Sequence, residues 1–325
     1  MTDSGGNVRQ PGAPIATWAT QRERGSVLLL RMYRRLSLAV GRPVSRIILY
    51  AIAIYFFLFA PTALRHARVY LRRALGREPS ARERFNHVLS FATTIHDRVF
   101  LLNDRFEVFD IEVDGIELVE AALRRGEGCF LMGAHLGSFQ VMYALGRDHP
   151  EVAIASALYQ ENAQKVGAVL KAVNPAAAPE FIILGNIDAM LRLRARLDDG
   201  AFVSIMGDRT LVEQPVELVN FLGVPAPFPV GPWRVAALLK RPVLFIAGLY
   251  CGGNRYRVVI EEAADFSNTA RDHRHQAVHE AIERYAARLE RYCRSHPDNW
   301  FNFFDFWQEE SSASGPPDRA AASHD

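Results

Sequence analysis

His135 is the side chain of this sequence best placed to do chemistry. It closes the run Gly128-Cys129-Phe130-Leu131-Met132-Gly133-Ala134, and Gly137, Ser138 and Gln140 follow at once. An apolar run bounded by glycines reads as a buried strand. The carboxyl end of such a strand is where open α/β sheets gather ligands and reactive groups. Histidine titrates near neutral pH, so it can take a proton from a hydroxyl nucleophile. The plain alternative is an ordinary loop histidine, and partners elsewhere in the chain must decide between the two.

Two further constellations fall at strand ends. Gly207-Asp208-Arg209 follows the apolar run Ala201–Met206 directly. The second is Asn220–Trp233, which includes Phe221, Gly223, Pro225 and four prolines in all. It is too proline-rich for a core strand and too apolar for a solvated loop. One reading is a rigid hairpin, and the other is a dry wall for a lipid chain. Arg209 and Arg234 are cations that could hold a phosphate, or they are plain surface arginines. Walker, dinucleotide and His-Glu-x-x-His patterns are absent from the sequence, so neither a bound cofactor nor a metal is expected.

These residues need a scaffold, and from about residue 118 the pattern supplies one. Apolar runs at 129–134, 152–158, 180–184, 201–206 and 243–250 predict strands. Helical patterns at 137–146, 161–173, 187–198 and 232–240 separate them. Alternation at this spacing implies βαβ units and an α/β fold with a mainly parallel mixed sheet flanked by helices. Arg255–Ile260 alternates polar and apolar residues and predicts a later, antiparallel strand. Long helices are predicted over Ala81–Leu102 and Asp272–Ser295. Cys129, Cys251 and Cys293 are scattered and odd in number, which predicts reduced thiols.

Charge divides the 325-residue chain in two. Residues 1–77 hold 13 Arg and no Lys against Asp3 and Glu23, a net of +11, whereas the remainder carries 25 basic and 34 acidic side chains, a net of −9. A basic end on an acidic body implies an anionic surface bound at one end. The apolar stretch Ile47–Leu64 lies among these arginines, which favours a membrane over nucleic acid. Eighteen residues is short for a bilayer crossing of roughly 20. A helix lying in the inner leaflet fits better, with a buried core helix as the alternative. The expected organisation is a disordered 1–20, a basic anchoring region at 21–77, an α/β domain at 78–308 and a disordered tail at 309–325.

In order and spacing, these motifs resemble the bacterial lipid A biosynthesis (late) acyltransferases, which are similar to the wider lysophospholipid acyltransferase superfamily. The resemblance rests on the strand ending in His135, Gly207-Asp208, Phe221-Leu222-Gly223-Val224-Pro225-Ala226, and the closing His296-Pro297-Asp298-Asn299-Trp300-Phe301-Asn302-Phe303-Phe304. It covers the chain from near residue 46 to Trp307. That ending, with Trp18 and Glu23–Ser26, looks more like a divergent branch found beside aryl-polyene-type lipid pathways.

The resemblance implies transfer of an acyl chain from acyl carrier protein or CoA to a hydroxyl of a glycolipid or lysolipid at the cytoplasmic face of the inner membrane. It makes His135 the base. Ser138, Tyr159, Gln160, Arg209, Phe221, Gly223, Pro225 and Arg234 become candidate substrate contacts. The chain departs from the family pattern twice. Gln140 stands where the family has the acidic partner of its histidine, and it can orient the ring but brings no charge to the imidazolium. Asp208 is the nearest replacement by sheet topology. Gln160 stands where the lipid A enzymes have an arginine. A catalytically degenerate protein that binds lipid or acyl carrier is therefore the alternative. An α/β-hydrolase is disfavoured because Ser138 lacks the Gly-x-Ser-x-Gly elbow.

Overall fold

Every apolar run read as a strand becomes one. The computed structural model describes residues 27–142, 146, 152–159, 167, 170, 173–174, 180–209 and 214–307. The strands are β1 (Asp110–Asp114), β2 (Phe130–Gly133), β3 (Ile154–Tyr159), β4 (Glu180–Leu184), β5 (Phe202–Met206), β6 (Val216–Phe221), β7 (Val224–Pro229), β8 (Pro242–Tyr250) and β9 (Arg255–Asp265). The helices are α1 (Val27–Val40), α2 (Arg42–Phe59), α3 (Pro61–Leu75), α4 (Ala81–Leu101), α5 (Ile116–Arg125), α6 (Ile187–Asp198), α7 (Gly231–Leu238) and α8 (Arg274–Ser295).

Seven strands form one sheet in the order β1-β9-β8-β2-β5-β3-β4. The five from β8 to β4 run parallel, whereas β9 is antiparallel to β8 and parallel to β1. β2 is buried along its whole length because helices cover both faces, which explains its unbroken apolar sequence. One core layer joins α3, α6, α7 and α8 to the sheet, and a second lies on the opposite face with α4 and α5. The result is the α/β class with a mostly parallel mixed sheet that the sequence predicts.

Local chemistry sets the ends of these elements. Ser80 and Glu83 close a capping box at the start of α4, with each side chain bonded to the other's backbone N–H. α3 begins at Pro61, which divides the apolar stretch 47–64 between two helices, and stops at Gly76 in the left-handed region.

Three expectations are corrected. β1 adds a strand to the predicted set, because five alternating residues at the sheet edge give a weak signal. A helix from 137 to 146 does not form at its start. Gly137 adopts φ 69° and packs on Gly248, whose carbonyl oxygen would lie 2.0 Å from any added Cβ, and a 3₁₀ turn follows at Phe139–Met142. The third concerns Arg42 and Arg46, two of the arginines that make residues 1–77 basic. Both turn inward. Arg42 Nε and Nη2 donate to the two Asp97 carboxylate oxygens at 2.8 Å each. The Tyr256 hydroxyl adds a third bond to Asp97 at 2.6 Å. Arg46 bonds the Gly253 carbonyl and the Tyr250 hydroxyl at 3.0 and 2.7 Å.

Of the helical pattern at 161–173 only Gly167, Leu170 and Val173 are described, all three helical and the last two buried, and both chain ends lie outside the described residues. Within them, α3 contributes Tyr70, Leu71 and Ala74 to the main core. A chain starting near Glu78 would open that core, so truncation is a poor test of anchoring. Asp97→Ala should cost about 3–5 kcal/mol, because it strands the Arg42 guanidinium in a buried site. Chemical denaturation measures this, and a loss below about 1 kcal/mol would show that water reaches the pair.

Candidate active site

Sheet register brings the candidate base to its carboxylate. β2 and β5 are parallel neighbours with Gly133 opposite Met206. His135 and Asp208 each lie two residues beyond that paired position, so they leave the same edge side by side. Asp208 Oδ1 lies 2.9 Å from His135 Nδ1, and Oδ2 accepts the His135 backbone N–H at 2.9 Å. The Trp300 indole N–H donates to Oδ2 at 3.0 Å. An ionised carboxylate only accepts, so Nδ1 carries the ring proton and Nε2 is left with a free lone pair. Asp208 is fully buried, whereas the His135 side chain keeps 37% of its surface open.

The electrostatics suit a base. Burial and the nearby Arg209 cation outweigh the Asp208 charge and hold the His135 pKa below its usual value. The ring is therefore neutral at pH 7 and free to accept a proton. Burial alone would raise the Asp208 carboxyl, but the imidazolium charge His135 gains in acid, its hydrogen bonds and the Arg209 cation reverse this and hold it well below the usual range.

Arg209 donates to the Phe301 carbonyl at 2.6 Å and lies 4.9 Å from the Phe304 ring centroid. Phe301 in turn donates its N–H to the His135 carbonyl at 3.0 Å. Phe91 on α4 stands edge-on to Phe301 and Phe303 at 5.2 Å from each. An aromatic cluster from α4 and the closing segment is thus tied to the backbone of His135.

The other candidate residues are dispersed. Gln140 is buried in the 3₁₀ turn, and its Oε1 has no partner among the described residues. It does not hold the imidazole, because Asp208 occupies Nδ1. Ser138 is buried with an unpartnered Oγ, while its backbone N–H bonds the Gly248 carbonyl at 2.7 Å. Phe221 is fully buried 5.3 Å from Trp300, so it backs the site instead of lining an open wall. The proline-rich run is the rigid hairpin β6–β7, with Gly223 at φ 88° in its tight turn and Pro225 exposed beside it. Arg234 is exposed on α7, outside the bonded cluster. Tyr159 ends β3, and its side chain and Gln160 lie outside the described residues.

Sequence reasoning missed Trp300. The closing motif carried a resemblance but no role, and a contact across 92 positions leaves no local signal. Two other buried histidines stay apart from this chemistry. His87 packs among Tyr70, Phe301 and Phe303, and burial lowers its pKa to about 3. His96 bonds the Tyr33 and Ser45 hydroxyls at 2.7 and 2.9 Å, and burial lowers it to about 4. All three cysteines are free thiols.

No curated protein matches the chain significantly. A sequence profile described as bacterial lipid A biosynthesis acyltransferase matches residues 24–309, from before α1 to just past the aromatic closing segment. A strand-end histidine paired with a buried carboxylate, inside a match of that length, places the chain in the bacterial lipid A biosynthesis acyltransferase family.

Proposed function

We propose that this protein moves a fatty acyl chain from a thioester, carried by acyl carrier protein or CoA, to a hydroxyl of a glycolipid or lysolipid at the cytoplasmic face of an inner membrane. The observation that carries the reading is the His135–Asp208 pair, with the carboxylate on Nδ1 and the imidazole partly exposed. His135 Nε2 takes the acceptor's hydroxyl proton while the oxygen attacks the thioester carbonyl. Asp208 holds the ring in the tautomer this requires and stabilises the imidazolium. As the tetrahedral centre collapses the C–S bond breaks, and the thiolate leaves with the proton from His135. Ester and thiol are the products, and no acyl-enzyme forms. Gln140 kept a non-catalytic binding protein in view, and Asp208 supplies the charge that Gln140 lacks. Incubating the full-length protein with radiolabelled acyl-carrier thioester and bacterial membrane lipid tests the reading. Acylated lipid must appear with the wild type and vanish with His135→Ala.

Membrane association is part of the same proposal. α2 is long and apolar enough to cross a bilayer, yet it buries only one stripe, at Leu49 and Ala53, against the body. Ile47, Ile54 and Leu58, spaced i, i+7, i+11, stand exposed on its surface, and Met32 and Leu36 do so on α1 beside Arg31 and Arg35. A helix pinned by one stripe and apolar on the other fits the interface plane. Replacing Ile47, Ile54 and Leu58 together by serine should lower partitioning onto anionic phospholipid vesicles by about 100-fold, at roughly 1 kcal/mol per half-immersed side chain. Co-sedimentation measures this. Equal partitioning of variant and wild type would remove α2 from the membrane contact.

A further inference from the structure

The geometry points to Trp300 as a positioning residue for the base. Its indole N–H fixes Asp208 Oδ2, so that Oδ1 is presented to His135 Nδ1, and it tempers the pull of the carboxylate on the imidazole. Asp208 is fully buried and receives three donors, two of them on Oδ2: the His135 backbone N–H and Trp300 Nε1. A carboxylate with one oxygen held twice has a fixed plane. Its other oxygen then lies in one place relative to the ring, 2.9 Å from Nδ1.

Packing by itself does not account for this bond. Trp233 and Trp307 also pack against other aromatic rings, and the Nε1 of each is buried without a partner among the described residues. The fold therefore tolerates unbonded indoles, and Trp300 is the one aimed at the carboxylate that holds His135. Its ring is held edge-on by Tyr70, Phe221 and Phe306 at 4.9, 5.3 and 5.0 Å.

The backbone around it is tied to the same loop. Leu136 and Trp300 form an antiparallel bridge, Gly137 donates to the Asn299 carbonyl at 2.8 Å, and Phe301 donates to the His135 carbonyl at 3.0 Å. The Asn299 side chain clasps both backbone groups of Tyr250, accepting from N at 2.7 Å and donating to O at 3.1 Å. One short segment thus sets the base, the carboxylate and the end of β8 relative to each other. This gives Phe221 a place too, as the ring behind Trp300.

The electrostatic consequence has a definite sign. A hydrogen bond to a charged acceptor draws charge from it. Without the indole N–H, Oδ1 would hold its proton donor more tightly and favour the imidazolium, so His135 would titrate at higher pH. The other polar groups facing the pair are Arg98 from α4, Arg209 beyond β5, and Tyr285 and Cys293 from α8. Burial keeps Tyr285 and Cys293 neutral, so neither offsets the change.

Trp300→Phe in the full-length protein tests this, because it keeps a ring and removes the donor. In ¹⁵N-labelled protein in detergent micelles, long-range ¹H–¹⁵N spectra follow the His135 nitrogens. The wild type should show Nδ1 protonated, and the variant should titrate about 0.5–1 pH unit higher. The catalytic consequence rests on the proposed function. There kcat should fall about 10-fold with KM for the acyl-carrier thioester nearly unchanged, since a bond to a charged group is worth about that factor. The acid limb of the rate profile should move up with the titration. An unchanged His135 titration and tautomer would overturn the proposal.

A measurement in the wild type covers the case in which the variant does not fold. The Trp300 indole proton should shift with the same midpoint as His135 and lose that response in Asp208→Asn. An indole proton that ignores the His135 titration would overturn the proposal by itself. A shifted titration in a protein that transfers no acyl chain supports the positioning role and removes only its catalytic consequence.

Discussion

Replacing His135 by alanine is expected to lower acyl transfer by about 10²–10⁴-fold, the range of a positioned general base, with little change in thermal stability. The ring stands at the edge of the core with more than a third of its side chain exposed, so its removal leaves no large void. Asp208→Asn should be at least as damaging to turnover, by about 10⁴-fold, because an amide can turn its NH₂ toward the ring and select the tautomer with the proton on the wrong nitrogen. It should also destabilise the fold, since three donors now converge on that carboxylate. Single-turnover transfer from a labelled thioester separates these effects from product release. The pH dependence follows from the depressed His135 pKa. Protonation of the free base should inhibit only below the ordinary histidine range, so the rate should hold steady from pH 8 through about 6.5. Unchanged transfer in both variants would refute this site as the catalytic one. Joint loss of folding and activity in His135→Ala would point to a core histidine.

Gln140→Glu should destabilise the protein by about 3–5 kcal/mol near neutral pH and lower transfer, even though it restores the residue type of the family pattern. The reason lies in the pairing already present. The imidazole Nδ1 is bonded to Asp208, while Gln140 is buried and its Oε1 has no donor. A glutamate there would place a negative charge at a buried position whose side-chain oxygen meets no donor among the described residues. Its folded-state pKa would therefore rise above the unfolded value of about 4.3. The sign is clear: below about pH 4 the group is neutral in both states and the penalty is absent. The penalty grows as pH rises toward the elevated folded value. Denaturation of wild type and variant at pH 4 and pH 7.5 should show the difference widening with pH. Gln140→Met, of similar shape, should cost under about 1.5 kcal/mol. Faster turnover in Gln140→Glu would show instead that position 140 faces the imidazole after all.

The sheet and most of its helices were legible in the sequence because each carries its own period. β2, β5 and β8 are buried on both faces and read as unbroken apolar runs, and α4 and α8 show helical spacing over 21 and 22 residues. The closeness of His135 and Asp208 was legible one step further on, because parallel neighbours place their carboxyl ends together. The role of the hairpin was not legible. Its prolines and aromatics suit a ligand wall and a packed corner equally, and only packing shows Phe221 and Phe228 wholly enclosed. The charge at residues 1–77 misled in part for a similar reason. An arginine that reaches lipid and one that pairs with a buried Asp97 have the same composition.

By itself the sequence determined the α/β class, the strand ends that carry the reactive groups, and the departure at Gln140. These are local properties, set by side-chain periodicity and by which residue types lie next to each other in the chain. The tertiary structure alone decided which carboxylate holds the imidazole, which indole holds that carboxylate, and which way Arg42 faces. Those pairings span 73, 92 and 55 positions. A hydrogen bond across such a gap leaves no trace in the period of either partner. It arises only when the folded core excludes water and sets a buried donor against a buried acceptor from a distant part of the chain.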